Sequence, residues 1–331
     1  MEYPMKLHES RDDFKELINF LSESHGYNPI ILEKDYWVTY LLYLIANHDT
    51  YKDAVVFKGG TALSKCHGLI HRFSEDIDLC VYQNALPSKN QINKIVKKIH
   101  EIAPQSLFEA KYVGNVERDQ NRIRKHEMKF IPLGLTGSYS AGGDHDKVLL
   151  EINQIASPTP FSLQRVQSLI YEGIIKAKQP DLIDQYERHP FEMNVMDLER
   201  TYCEKISGVA RSCSTTKSEA YRIKRIRHFY DLHLIHQRIG NTFLHSPKFE
   251  VLMTEVMMDD YKGSEESRRM YRDNLIITDL GKIQSDITQA WHNSFPELLF
   301  QDALLPSLNV VLNDCQTCIK KAAEIELTKY P

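Results

Sequence analysis

The stretch Val56–Leu79, VFKGGTALSKCHGLIHRFSEDIDL, decides how this chain is read. It opens inside Ala54-Val55-Val56-Phe57, a short apolar run of the kind that forms a buried strand, and Gly59-Gly60 stops it. Thr61–Leu69 follows at helical spacing, so a helix is predicted to start directly after the glycines. Asp76–Tyr82 (DIDLCVY) returns to alternation and predicts a second strand. Asp76 and Asp78 are two apart in it, so both carboxylates leave the same face. Neighbouring carboxylates repel each other without a cation, and a hard ion such as Mg²⁺ prefers such oxygen ligands. On the acids alone, an edge strand with two solvated side chains is the simpler explanation. The glycines alter the balance. Between a strand and a helix start, backbone N–H groups are exposed, and bare glycine lets a phosphate come close. Thr61 adds a hydroxyl that can donate to a phosphate oxygen. A phosphate cradle and an acid pair on neighbouring strands describe one site for a nucleoside triphosphate and its metals. The spacing is neither that of a P-loop nor that of a G-x-G-x-x-G dinucleotide fingerprint.

Outward from this core, Asp13–Leu21 and Ile30–Ala46 carry helical periodicity, with a break at Asn28-Pro29. Ser88 is a candidate N-cap for a helix whose apolar stripe is Ile92, Ile95, Val96, Ile99 and Ile102. Glu127–Ile131 and Lys147–Asn153 are further strand candidates. The connection between them, Gly134–Asp146, holds four glycines and is expected to be mobile. Ser157-Pro158-Thr159-Pro160 reads as a linker. Beyond it, the strand-like run Phe191–Met196 gives way to helical periodicity. The prediction is an α/β (α+β) domain over 1–157, with a small mixed sheet and N-terminal helices, followed by a mainly helical domain over 158–331.

Composition bounds the function. The 331 residues allow about two domains. With 42% apolar and 26% charged residues, the chain is globular, not disordered or fibrous. Its longest apolar run, Tyr40–Ala46, is far short of the roughly 20 residues that cross a bilayer. The first ten residues, MEYPMKLHES, lack the order of a signal peptide. Six cysteines without an export signal point to a reducing cytoplasm. A net charge of −4 gives no global pull toward nucleic acid, so polyanion contact requires a local basic patch. The expectation is a cytoplasmic monomer with no membrane partner.

Phe57–Leu63 and Arg72–Leu79 resemble the motif F-K-G-G-T-A-L … R-F-S-E-D-I-D-L of the AbiEii/AbiGii toxin group, within the polymerase-β-like nucleotidyltransferase superfamily. An upstream element, Glu33-Lys34-Asp35-Tyr36, resembles the group's E-K-D-[YF]. The fifteen residues between Gly60 and Asp76 are usual for this group. The resemblance implies a polymerase-β-like N-terminal domain. It implies Mg²⁺ or Mn²⁺ held by Asp76, Asp78 and a third carboxylate on a later strand. Glu151 is the best candidate, because an acid interrupting the apolar run Lys147–Asn153 needs a metal or a partner; Glu127 is its rival. Gly59, Gly60, Thr61 and Ser74 would seat the phosphates, with Lys58, Lys65 and Lys205 balancing their charge. Thr201–Ala210 (TYCEKISGVA) and His228–Ile235 (HFYDLHLI) resemble the group's second-domain signatures. By that resemblance Lys205 contacts the triphosphate, and Asp231 positions the nucleotide or Lys205. His228 stands where the group often has an Asp, so only Asp231 is carried over.

Two basic clusters could hold phosphates or an RNA backbone: Arg211, Lys217, Arg222, Lys224, Arg225 and Arg227, and Arg118, Arg122, Arg124, Lys125 and Lys129. Cys315-Gln-Thr-Cys318 has zinc-finger spacing without a second ligand pair, and reads as incidental. His233 and His236, three apart beside Asp231, read as core or surface histidines. The expected activity is transfer of NMP from an NTP to an acceptor hydroxyl, the tRNA 3′ end by resemblance. The protein would be the toxin of a toxin–antitoxin or phage-defence pair, with a cognate antitoxin. An aminoglycoside-type or protein nucleotidyltransferase, or an inactive binding module of the same fold, are the alternatives.

Overall fold

The computed structural model describes residues 6–85, 88–114, 123–136, 144–154, 157–186, 189–263, 265–300 and 304–325. The chain forms two compact units, Met1–Met196 with Phe300–Asp302, and Asp197–Leu299 with Ala303–Pro331.

In the first unit, Ser10 caps helix α1 (Arg11–His25) by accepting the Asp13 N–H, and Gly26 ends it in the left-handed conformation at φ 67°. Asn28 caps α2 (Pro29–Ala46), with Pro29 at the first helical position, where a missing N–H does no harm. α2 is buried almost all round, which its apolar run foretells, and Glu33, Lys34 and Asp35 are buried with it. Trp37 stacks on Phe130 at 5.4 Å and meets Phe108 edge-on at 5.2 Å, fixing α2 against the sheet.

The elements that follow are β1 (Val55–Lys58), α3 (Gly59–Lys65), β2 (Ile77–Val81), α4 (Lys89–Lys98), β3 (Phe108–Gly114), β4 (Ile123–Phe130), β5 (Lys147–Asn153), β6 (Phe161–Val166), α5 (Leu169–Lys176), α6 (Asp181–Gln185) and β7 (Phe191–Met196). The seven strands make one mixed sheet in the order β3-β4-β5-β2-β1-β7-β6. β2 runs parallel to β5 and β1 parallel to β7, while the other neighbours are antiparallel. This is the mixed α+β architecture expected for the N-terminal part of the chain.

Two expectations change. The first unit extends to Met196, beyond the expected boundary after residue 157. β6 and β7 pair with each other, and β7 joins β1 at Phe57 and Val195, so the sheet is complete only with them. The prolines of Ser157–Pro160 lead into an edge strand, where a missing ladder donor is tolerated. In addition, α3 ends at Lys65 rather than Leu69, because Gly68 turns the chain at φ 56° and the N–H of Leu69 bonds back to the Leu63 carbonyl.

The second unit is mainly helical: α7 (Leu198–Ser212), α8 (Glu219–Ile223), α9 (Ile226–Ile235), a π-helical turn at His236–Gly240, and helices over Pro247–Gly263, Glu265–Arg272, Gln284–Asn293 and Leu308–Ala323. Tyr230, Trp291 and Phe295 pack together in its core, with ring centroids 4.9 and 5.0 Å apart about Phe295. Among the described residues no helix is long and apolar enough to cross a membrane. Arg118, Arg122 and residues 137–143 lie outside the described residues.

Candidate active site

Lys58 ends β1 in an extended conformation, and the chain turns into α3 through Gly59 at φ 81°. Only glycine takes that conformation without strain. A Cβ at Gly59 would overlap the Asp78 carboxylate, with Asp78 Cγ at 3.0 Å and Cβ at 3.1 Å. At Gly60 it would meet Arg72 Nη2 at 2.8 Å and Ser74 Oγ at 2.9 Å. Both glycines therefore make room for the second half of the motif. The fifteen-residue excursion returns so that Arg72, Ser74 and Asp78 pack on the bare backbone at 59–60.

Thr61 secures that return. Buried, it gives its one hydroxyl proton to the Asp76 carbonyl at 2.5 Å, with Ser74 Oγ 3.0 Å away. Its proton is thus committed inside the protein, not offered to a phosphate as expected. Lys65 is a second correction. It is buried, and its ammonium lies 2.5 Å from Asp35 Oδ1 and 2.7 Å from Thr39 Oγ1. It is held in the interior and does not face a phosphate.

Asp78 stands in β2, and Asp76 one residue before it. Ile77 and Leu79 are buried while Asp76 and Asp78 are half-buried, so Asp78 lies on the open face of β2 and Asp76 stands just before the strand. The strand register sets Lys58 and Glu151 on either side of Asp78, and Lys125 beyond Glu151. Directly paired residues point to the same side of a sheet, so Lys58, Asp78, Glu151 and Lys125 form one row, two adjacent acids flanked by a lysine on each side. Glu127 lies on the same face but one strand farther out, opposite Leu149, and pairs with Lys147 at 3.4 Å. Register thus favours Glu151 over Glu127 as the neighbour of Asp78. The reason given by the sequence does not hold, however. β5 alternates, Glu151 lies on its half-exposed face, and its partner is the Lys125 ammonium.

The donor type suits a hard divalent ion: Asp78 and Glu151 are register neighbours on one face, Asp76 stands just before β2, and the Lys125 ammonium already sits against Glu151. Among the described residues, no three His, Cys, Asp or Glu side chains converge into a finished metal cage.

Glu33, Lys34 and Asp35, singled out in the sequence by resemblance but given no role there, support the site. Lys34 pairs with Glu75 and donates to the Asp144 carbonyl at 3.0 Å, tying the segment before Asp76 to the approach to β5. Asp35 holds Lys65 with one oxygen and accepts the Leu169 N–H with the other at 2.8 Å. Glu33 accepts the Leu133 N–H at 2.7 Å, and burial raises its pKa to about 7. Three consecutive charges inside an apolar helical run were the available signal, since such groups persist only when paired.

In the second unit Lys205 on α7 reaches Asp231 on α9 at 2.6 Å, with Asp231 fully buried. Half of the expected basic face is ion-paired: Arg211 with Asp260, Lys217 with Glu266, and Arg222 with Asp286 at 2.8 Å. Lys217 and Arg225 each lie 4.2 Å from the Tyr221 ring. Cys315 and Cys318 are free thiols, and Tyr202 bridges Cys318 to His236 through its hydroxyl at 3.0 and 2.6 Å. His233 pairs with Asp314 at 2.7 Å. Both histidines belong to hydrogen-bonded packing.

Comparison with curated proteins gives no match. The family model described as "Nucleotidyl transferase AbiEii toxin, Type IV TA system" matches residues 40–314, most of the chain, beginning just after Glu33–Tyr36. With this match joined to the Gly59–Asp78 geometry, the chain belongs to the AbiEii family of nucleotidyl transferase toxins of toxin–antitoxin systems.

Proposed function

We propose that the protein is a divalent-metal-dependent nucleotidyltransferase that moves NMP from an NTP to an acceptor hydroxyl. The acceptor is RNA, with the tRNA 3′ end as the expected site, and the transfer is the toxic act restrained by a cognate antitoxin. One observation carries the reading: Asp78 stands in register between Lys58 and Glu151, with its carboxylate packed on the bare backbone of Gly59.

Asp76, Asp78 and Glu151 would hold Mg²⁺ or Mn²⁺. A bound ion would offset charge on the α-phosphate and the leaving pyrophosphate and acidify the acceptor hydroxyl. Gly59 and Gly60 hold Asp78, Arg72 and Ser74 close against the turn into α3, and Lys58 adds positive charge on the same face as Asp78. The acceptor oxygen bonds to the α-phosphorus while the bond to pyrophosphate breaks. The neighbouring carboxylates take the hydroxyl proton. Thr61, Lys34 and Asp35 contribute indirectly, by fixing the two halves of the motif against each other.

The test is incubation with Mg²⁺ and each α-labelled NTP in turn, offering total RNA or bulk protein, with Asp76→Ala/Asp78→Ala as control. Label on a tRNA-sized band that requires both aspartates supports the reading. Label on protein moves the acceptor but keeps the chemistry. No label on either acceptor counts against an RNA-directed toxin.

A further inference from the structure

We propose that Lys125 is the built-in counter-ion of Glu151, and that a divalent cation binding beside Asp78 must displace it. This rests on the reading of Asp78 and Glu151 as metal ligands. Lys125 on β4 is paired in register with Glu151 on β5, which is paired in turn with Asp78 on β2. All three side chains share a face, and the Lys125 ammonium contacts a Glu151 carboxylate oxygen. The two side chains are 31% and 23% exposed, sheltered enough for the attraction to exceed that of an open surface pair. Of the other lysines on this face, Lys58 stands in register with Asp78 on the side away from Glu151, and Lys147 and Lys129 have acids of their own. Lys147 lies 2.6 Å from Asp144 and 3.4 Å from Glu127, and Lys129 lies 3.4 Å from Asp146.

The arrangement has an electrostatic reason. Without a metal, Asp78 and Glu151 put two negative charges on adjacent strands, a like-charge contact that destabilises the sheet. An ammonium is a compact charge on a flexible stem, so it can neutralise one carboxylate and still leave. When a divalent ion takes the Glu151 oxygen, the ammonium is repelled and turns to water or to an anionic group of the incoming triphosphate. No covalent bond changes. Lys125 is a positioning residue: it sets how tightly the site holds metal before a nucleotide arrives.

The experiment is titration of the full chain with Mn²⁺ alone, free ion read by electron paramagnetic resonance with no nucleotide present. Lys125→Met is expected to bind Mn²⁺ about tenfold more tightly than the wild type, the scale of one partly sheltered charge pair. Lys129→Met, which removes the same charge from the same face, should stay within about twofold, because pairing outweighs the diffuse field. In a Glu151→Gln background the Lys125→Met gain should vanish. Lys125→Arg, expected to grip Glu151 bidentately, should weaken Mn²⁺ binding, and it keeps the idea testable if Lys125→Met does not fold. Unchanged or weaker binding in Lys125→Met, or an equal gain in Lys129→Met, overturns the proposal. Asp78→Asn separates the two levels. If it binds Mn²⁺ as the wild type does, the metal reading fails and takes this inference with it. If it weakens binding while Lys125→Met changes nothing, only the role of Lys125 fails.

Discussion

The Asp78 carboxylate fills the space a side chain at Gly59 would need, and Gly59 itself sits at φ 81°. A glycine at the strand end and an acid from the following strand are thus parts of one packed contact. The K-G-G-T and S-E-D-I-D segments act as a single unit although an excursion separates them.

Gly59→Ala is therefore expected to abolish nucleotide incorporation, by about a hundredfold or more, as the Asp78 carboxylate is pushed off its position. The strained backbone should also cost about 1–2 kcal/mol of stability. Gly68→Ala is the internal control. It carries similar strain at φ 56° but meets nothing within 4 Å, so it should lower stability and leave turnover intact. Thermal denaturation and label incorporation, measured together, separate the two effects.

Asp35→Ala leaves the Lys65 ammonium buried without its carboxylate and strips the acceptor from the Leu169 N–H. The expected loss is about 3–5 kcal/mol by urea denaturation. Asp35→Leu/Lys65→Met, which removes both charges, should recover a large part of it. A single variant as stable as the wild type would show that the pair contributes nothing to folding.

Glu33 gives a signed pH dependence. Burial raises its folded-state pKa from 4.5 to about 7, so the folded protein binds this proton more tightly than the unfolded chain. Its contribution is present below the unfolded value and is lost as pH rises through about 7. Glu33→Gln keeps an oxygen for the Leu133 N–H and carries no charge. It should match the wild type near pH 4 and exceed it in stability at pH 8, as read by melting temperature across that range.

Glu151→Gln is expected to lower incorporation by about a hundredfold, as loss of one of three charge-bearing oxygen donors would. Glu127→Gln, on the same face but one strand farther from Asp78, should stay within about threefold, because electrostatic support falls off with distance. Equal losses in the two variants would return Glu127 to contention.

The sequence carried the strand–helix–strand motif, α2 and the mainly helical second half, because each is written in local periodicity. What it hid depends on distant partners. Lys65 looks like an exposed cation until Asp35, thirty positions earlier, is found against it. Thr61 looks like a phosphate donor until the Asp76 carbonyl takes its proton. The true limit of the first unit was invisible for a similar reason. Nothing in the composition of Phe191–Met196 says that Val195 returns to pair with Phe57. At Glu151 the residue chosen from sequence lies beside Asp78, yet the apolar-run argument for it missed the alternation of β5 and the ion pair with Lys125.

Lys205 and Asp231 offer a test of the helical unit. The resemblance leads to the expectation that Lys205 meets the triphosphate; in the structure it pairs with a buried acid. Lys205→Arg keeps that pairing charge but changes the point-charge geometry, so KM for the NTP should rise about fivefold or more with little change in melting temperature. An unchanged KM would assign the pair to packing alone.

Nucleotidyl transfer at the Asp78 site is distinguished from phosphoryl transfer by which phosphate of the NTP reaches the acceptor. The wild type and Asp78→Asn are incubated with Mg²⁺, RNA and the same NTP labelled at either the α- or the γ-phosphate. RNA should gain the α label and none of the γ label, and Asp78→Asn should transfer neither. Transfer of the γ label, or α-label incorporation that persists in Asp78→Asn, would contradict nucleotidyl transfer at this site.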